Sequence, residues 1–375
     1  MTGVRGETSG RGRASHLVEL PADIEAFTRE CAERGWSDGL PVIPPTEDRV
    51  AAMLACTDRD PLAVIGVLSP RQGEATVHAL AVNAVMAGCE PRWFPILVAA
   101  FEAIAEPEFN IASINSTTHP CGVFVLVNGP IAREAGVHAG AGCFGPTFPA
   151  NATIGRAVRL ALLNVAGATP GAGDRSTQGS PAKFAFCAGE REAVNPWGAY
   201  HVSRGFEPST STVTVFGAEG PHNIQEHGSD SAEGILRTIA GSMGQAGSNH
   251  IFRAGQPVLV LGPEHAETIA ADGLTREDIQ RYLFEHARFP AASLDPWFRL
   301  EYRVRLPAGE EHRADAADLR YPVADRPEHF HVLVAGGAGK HSSWLPTFGN
   351  QTVPQTRIIA LADGTAAASL EDFRR

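Results

Sequence analysis

Apolar residues recur along this chain with two different periods. Between Ala22 and Arg34, Ile24, Phe27 and Cys31 are spaced three and four apart, which gathers them on one side of a helix. Glu74–Ala87 and Trp93–Ala105 are apolar on nearly every side, the pattern of buried helices. Gly88 stops the first of these, and Pro91 stands where a proline opens the second. Between them and the first helix, Trp36 to Thr46 reads as an extended segment pinned by prolines. Thr46 is then the N-cap of a helix through Leu54, with Glu47 and Asp48 in its first turn. Shorter runs, Gly122–Val127 and Ser211–Val215, read as strands. Ala152–Val165, capped by Asn151 and ended by Gly167, and Ala232–Met243 read as helices.

The succession of strand, glycine turn and helix occurs more than once. Val125-Leu126-Val127-Asn128-Gly129-Pro130 is echoed by Val258-Leu259-Val260-Leu261-Gly262-Pro263, and each run leads into a helix and then a glycine, Gly136 or Gly273. A third strand, Val332 to Val334, runs into Gly336 and Gly337. Such βα units build parallel or mixed sheets, with ligands at the C-terminal ends of the strands. The pattern predicts a two-lobed α/β fold: a tail over 1–20, a first lobe over 21–205 and a second over 206–375. Internal duplication would explain the echo, and so would chance likeness between two short βα units.

Composition narrows the function classes. No run approaches the ~20 apolar residues of a membrane-spanning helix. Met1 to His16 is polar and lacks a signal peptide's apolar stretch, so a soluble cytoplasmic protein is expected. A net charge of −11 disfavours nucleic acid as a partner but still allows one cationic pocket for a small anionic substrate. Lys183 and Lys340 are the only lysines. Six cysteines without a CxxC pair fit a reduced compartment. A homo-oligomer stays open.

Several segments carry candidate chemistry. From Gly140 to Arg156 a glycine-rich loop feeds a helix whose N-terminal N–H groups suit an anion. Gly145 and Asn151 would line that site, and Arg156 would add a two-pronged contact. The same residues also fit a tight loop, an ordinary cap and a surface arginine. His119 and Cys121 share a face of an extended segment, an arrangement that activates a thiol; Cys121 equally suits a buried strand start. Cys89, before a helix, and Cys143, in the glycine loop, are further candidate nucleophiles, with core packing as the alternative. Gly336, Gly337 and Gly339, followed by Lys340, His341 and Ser342, resemble a phosphate loop. However, Val334 stands at its first glycine position and His341 at its magnesium-binding hydroxyl, so a P-loop NTPase is not expected. His222 and His227 are five apart, wrong for one helical face, and His329 with His331 lacks a third ligand, so no metal is assigned.

Some of these segments, taken together, carry a resemblance. Asp38 to Thr46 (DGLPVIPPT), Ala87 to Pro91, Thr117 to Pro130, Gly145 to Ala157, Pro196-Trp197 and Gly336 to Ser342 resemble a sparsely characterised bacterial family associated with the UGSC family (seleno)proteins. The resemblance implies a shared fold and pocket, and thiol or selenol redox chemistry with a thiol redox partner. This chain has no Cys-Gly-Ser-Cys motif, so that chemistry is not carried onto any residue.

The expectation is a cofactor-independent enzyme of lyase, hydrolase or thiol-transfer type, acting on a small carboxylate or phosphate. Arg156, Lys340 and loop amides would hold the anion, His119 or His341 would move protons, and Cys89, Cys121 or Cys143 would supply a nucleophile. The alternatives are a metalloenzyme with His and Cys ligands and a non-catalytic ligand-binding subunit. On either catalytic reading the loops at His119, Gly145 and Gly336 should line one cleft.

Overall fold

The computed structural model describes residues 18–297, 309, 312–313 and 316–374. The expected tail over 1–20 falls largely outside them. The chain folds as a mixed α/β protein around two four-stranded sheets.

The first sheet is built on β3 (Gly122–Asn128), a run in which every residue is buried. It lies parallel to β4 (Cys187–Gly189) and antiparallel to β5 (Thr212–Ala218), with β12 (Gln355–Ile358) outside β5. In the second sheet, β7 (Val258–Leu261) lies parallel to β10 (His331–Val334) and antiparallel to β11 (His341–Leu345), with β6 (His222–Gln225) outside β11. The two sheets thus share one order of strand directions. The outer strands differ in origin: β6 lies just before β7 in the chain, whereas β12, the last strand among the described residues, joins the first sheet from beyond every strand of the second. The expected boundary at 205/206 therefore does not separate the sheets, because β5 and β12 both pair within the first.

Period-two alternation assigns each sheet two apolar faces. Phe124, Leu126 and Phe216 of the first sheet meet Val258, Val260 and Leu333 of the second in a central core. Val123, Val125, Val213 and Val215 point outward against α3 (Val77–Ala87), α4 (Phe94–Ile104) and α7 (Pro149–Asn164). Leu259, Leu261, Val332 and Trp344 do the same against α9 (Ala232–Met243), α11 (Pro263–Ala271) and α12 (Arg276–His286). The result is four layers, helices–sheet–sheet–helices. Both echoed βα units form, and both following glycines, Gly136 and Gly273, have positive φ.

Local departures from the expectations have tertiary causes. Glu74, expected in a helix, lies in β2 (Gly73–Thr76), paired with Val67 of β1 (Val64–Leu68), and α3 begins only at Val77 behind the Thr76 cap. Helix α7 begins at Pro149, so Asn151 lies inside its first turn and is not its N-cap.

Candidate functional site

The two sheets join where the interior strands β5 and β11 end. Ala218 bridges to Thr347, Glu219 N–H donates to the Pro346 carbonyl at 2.7 Å, and Phe348 N–H donates to the Gly217 carbonyl at 3.0 Å. This junction carries Glu219 and Phe348 to the loop before β3. There Thr117 accepts the His119 N–H through its hydroxyl, and Pro120 leads into the strand. His119 Nε2 stands 2.5 Å from Glu219 Oε1, and its ring stacks on Phe348 at 5.4 Å between centroids. Its other nitrogen, Nδ1, is buried with no hydrogen-bond partner.

A second segment closes on the same loop. Gly173 and Asp174 turn back on the Thr169 carbonyl, and Thr177 N–H donates to the Thr118 carbonyl. Ser176 donates through its hydroxyl toward the His119 carbonyl at 3.2 Å and Asp174 at 2.8 Å. Lys183 Nζ donates to both Asp174 oxygens, at 2.9 and 2.8 Å, and to Ser176 Oγ at 2.5 Å. Arg159 of α7 approaches the same carboxylate at 3.5 Å. Burial alone would raise the Asp174 carboxyl, but the Lys183 hydrogen bonds and charge outweigh it and hold the group below its usual range. Two cations here face one carboxylate. Behind them, a cavity of about 20 Å³, large enough for about one water, is lined by Cys121, Arg159 and Lys183.

Of the residues selected from sequence, His119 and Cys121 reach this cluster, and the others do not. Arg156 is committed to Asp38: Nε and Nη2 donate to its two oxygens at 2.7 and 2.9 Å, and Nη2 also binds the Pro41 carbonyl. The expected anion clamp is thus a strap over the DGLPVIPPT segment. Asn151 is buried and ties the loop to itself, accepting from His138 N–H and donating to the carbonyls of His138 and Cys143. Gly145 closes a turn on the Gly142 carbonyl.

The glycine–lysine loop is likewise filled by protein. Gly336 N–H donates to the Ala139 carbonyl, and a Cβ on Gly337 would sit 2.6 Å from that of Ala141, so Gly337 serves close packing. Gly339 N–H is already taken by the Glu264 carboxylate at 2.6 Å. Lys340 Nζ donates to the Ser229 carbonyl, and Ser342 is buried against His265 and Gly262 N–H. His341 meets His227 on the surface. Gly336 packs by the C-terminal end of β4, whereas His119 precedes β3. The length of β3, about 20 Å, separates them. The expected single cleft at His119, Gly145 and Gly336 is not formed.

Strand C-terminal ends are the usual ligand position in such sheets, and here they too are occupied from within. Glu190, beyond β4, accepts from the Asn128 and Asn195 side chains at 2.7 Å each and from Tyr200 N–H at 2.6 Å. Burial pushes Glu190 up to about 7 despite these donors.

The thiols lack activation. Burial pushes Cys89 and Cys121 up to about 12 and Cys143 to about 11; for Cys121 the nearby Lys183 opposes the shift without overcoming it. All six cysteines are free. Among the described residues no group of three or more His, Cys, Asp and Glu is arranged to hold a metal, and no helix is long and apolar enough to cross a membrane. The chain matches no protein-family model and no curated protein.

Asp174, Ser176, Glu219 and Phe348 carried no motif. Lys183 did carry a signal, its rarity, which pointed equally to Lys340. Only contact separates the two lysines: one meets a carboxylate and a hydroxyl beside a histidine, the other a single backbone carbonyl.

Proposed function

We propose that this chain is an enzyme of lyase or hydrolase type that moves a proton on a small anionic metabolite. The His119–Glu219 pair is the acid–base group, and the Lys183–Arg159 cations neutralise the substrate. One observation carries the reading: His119 is held through Nε2 by a carboxylate while its buried Nδ1 has no partner. An unmet buried nitrogen costs about 1–3 kcal/mol. A substrate atom that shares a proton with Nδ1 would offset that cost, and the carboxylate would stabilise the imidazolium formed. An anionic substrate is supported by the one positive charge left over when Lys183 and Arg159 meet the single Asp174 carboxylate. A thiol nucleophile finds less support, because burial holds Cys121 protonated.

The test is a thermal-shift screen of small carboxylates and phosphates, followed by turnover assays on the hits. A true ligand should stabilise the wild type and lose affinity with Lys183→Ala. Turnover should fall by about 10²–10⁴-fold with His119→Ala, while Lys340→Ala retains both. A ligand whose binding depends on Lys340 and not on Lys183 would overturn the assignment.

A further inference from the structure

An imidazole–imidazole hydrogen bond lies on the surface, away from the His119 cluster. His227 follows β6, and His341 opens β11. These strands pair antiparallel with His341 opposite Gln225, so the register brings together two residues more than one hundred positions apart. Their Nε2 atoms are 3.1 Å apart, with the rings edge-on at 88° and both side chains exposed.

We propose that His227 and His341 form a two-imidazole site for a divalent transition-metal ion. Imidazole nitrogen suits zinc, nickel and copper ions. A tetrahedral ion about 2.0–2.1 Å from each nitrogen needs the two nitrogens roughly 3.3 Å apart, so a few tenths of an ångström of movement admits it. The ring of His341 is already oriented for this. Its Nδ1 lies 3.0 Å from Asn223 Oδ1, an atom that only accepts, so the proton sits on Nδ1 and the Nε2 lone pair faces His227. A carbonyl oxygen behind a ligating imidazole is the usual supporting partner in metal sites.

Without metal, His227 Nε2–H donates to that lone pair. On binding, His227 shifts its proton to Nδ1, both Nε2 lone pairs bind the ion, and no net proton is released. Water or an added ligand fills the remaining coordination positions, because no third histidine, cysteine or carboxylate among the described residues completes the set. Nearby, Lys340 is tied to the Ser229 carbonyl, Glu226 to Gly228, Ser229 and Thr238, and Glu264 to Gly339. Those two carboxylates outnumber the one ammonium, so the local charge favours a cation. His119 lies by Phe348, past the far end of β11, so this site and the proposed acid–base site can fail independently.

The test is calorimetric titration of the untagged full chain with Zn²⁺ and Ni²⁺. One ion per chain is expected. His227→Ala and His341→Ala should each weaken it by at least about tenfold, and Asn223→Ala by about 10–100-fold. His222→Ala, an exposed histidine of β6, should leave it unchanged. In the wild type, substoichiometric Cu²⁺ should broaden the ring signals of these two histidines before all others. Absence of binding at millimolar ion, or stoichiometric binding that survives either histidine substitution, would overturn the proposal.

Discussion

The imidazole of His119 and the carboxylate of Glu219, one hundred residues apart, meet at 2.5 Å where the two sheets join. Neither lies within a strand, and both are held by the chain just outside one. That arrangement makes distinct demands on the two side chains. His119→Ala should lower kcat by about 10²–10⁴-fold with the fold intact. Glu219→Gln keeps a hydrogen-bonding group but removes its charge, so it should lower kcat less and leave KM nearly unchanged. Equal loss of binding and turnover in Glu219→Gln would show that the carboxylate contacts substrate.

Arg156 should behave as a structural residue. Its side chain is 15% exposed and that of Asp38 only 4%. Arg156→Ala strands the Asp38 carboxylate and should cost about 3 kcal/mol in urea denaturation. Arg156→Lys should recover only part, because an ammonium cannot span both oxygens. Ligand affinity measured on the folded fraction should not change.

Native thiol reactivity should be low. With Cys89 and Cys121 pushed to about 12, fewer than about one in 10⁴ of either is ionised at pH 7.5. Iodoacetamide at neutral pH should therefore label neither within the time that modifies free cysteine, and both should react once denaturant is added. Rapid labelling of Cys121 in the native protein would restore the nucleophile reading.

Glu190 should give stability a pH dependence. Its folded value, about 7, lies above the ordinary glutamate value of 4.5, so the folded state holds the proton more tightly. The stabilisation is full below about pH 4.5 and is lost as pH rises through about 7; its size is on the order of 3 kcal/mol. Glu190→Gln cannot titrate. The stability difference, wild type minus variant, should fall by about that amount between pH 4 and pH 8, as read from urea midpoints. A difference that does not change with pH would mean that Glu190 titrates alike in both states.

Gly337→Ala separates packing from anion binding in the glycine loop. The added methyl would strike Ala141, so the substitution should destabilise by about 1–3 kcal/mol without altering ligand affinity. An unchanged melting temperature would mean that the loop moves aside freely.

Local sequence determined the elements that local physics governs. The periodicity of Ala232–Met243 is realised as α9 over that same range, and the apolar run beginning at Gly122 is realised as β3. Helix spacing and strand alternation depend only on neighbours a few residues away, so both are visible in one dimension. The mixed α/β class follows from their succession. The rarity of lysine marked Lys183 as a residue to locate.

Tertiary structure decided what depends on partners. Glu74 belongs to a strand because Val67 pairs with it, and Arg156 is spent on Asp38 because the DGLPVIPPT segment crosses α7. Of the glycines that alone read as an anion nest, Gly336 donates to the Ala139 carbonyl, Gly337 packs against Ala141 and Gly339 is bound by Glu264. Most of all, the antiparallel pairing of β3 with β5 places Glu219 beside His119, and that of β6 with β11 places His227 beside His341. A hydrogen bond or ion pair depends on distance in space to a few tenths of an ångström, whereas a sequence specifies only separation along the chain. Strand register supplies the missing coordinate, and the register is fixed by which apolar faces the four layers bury.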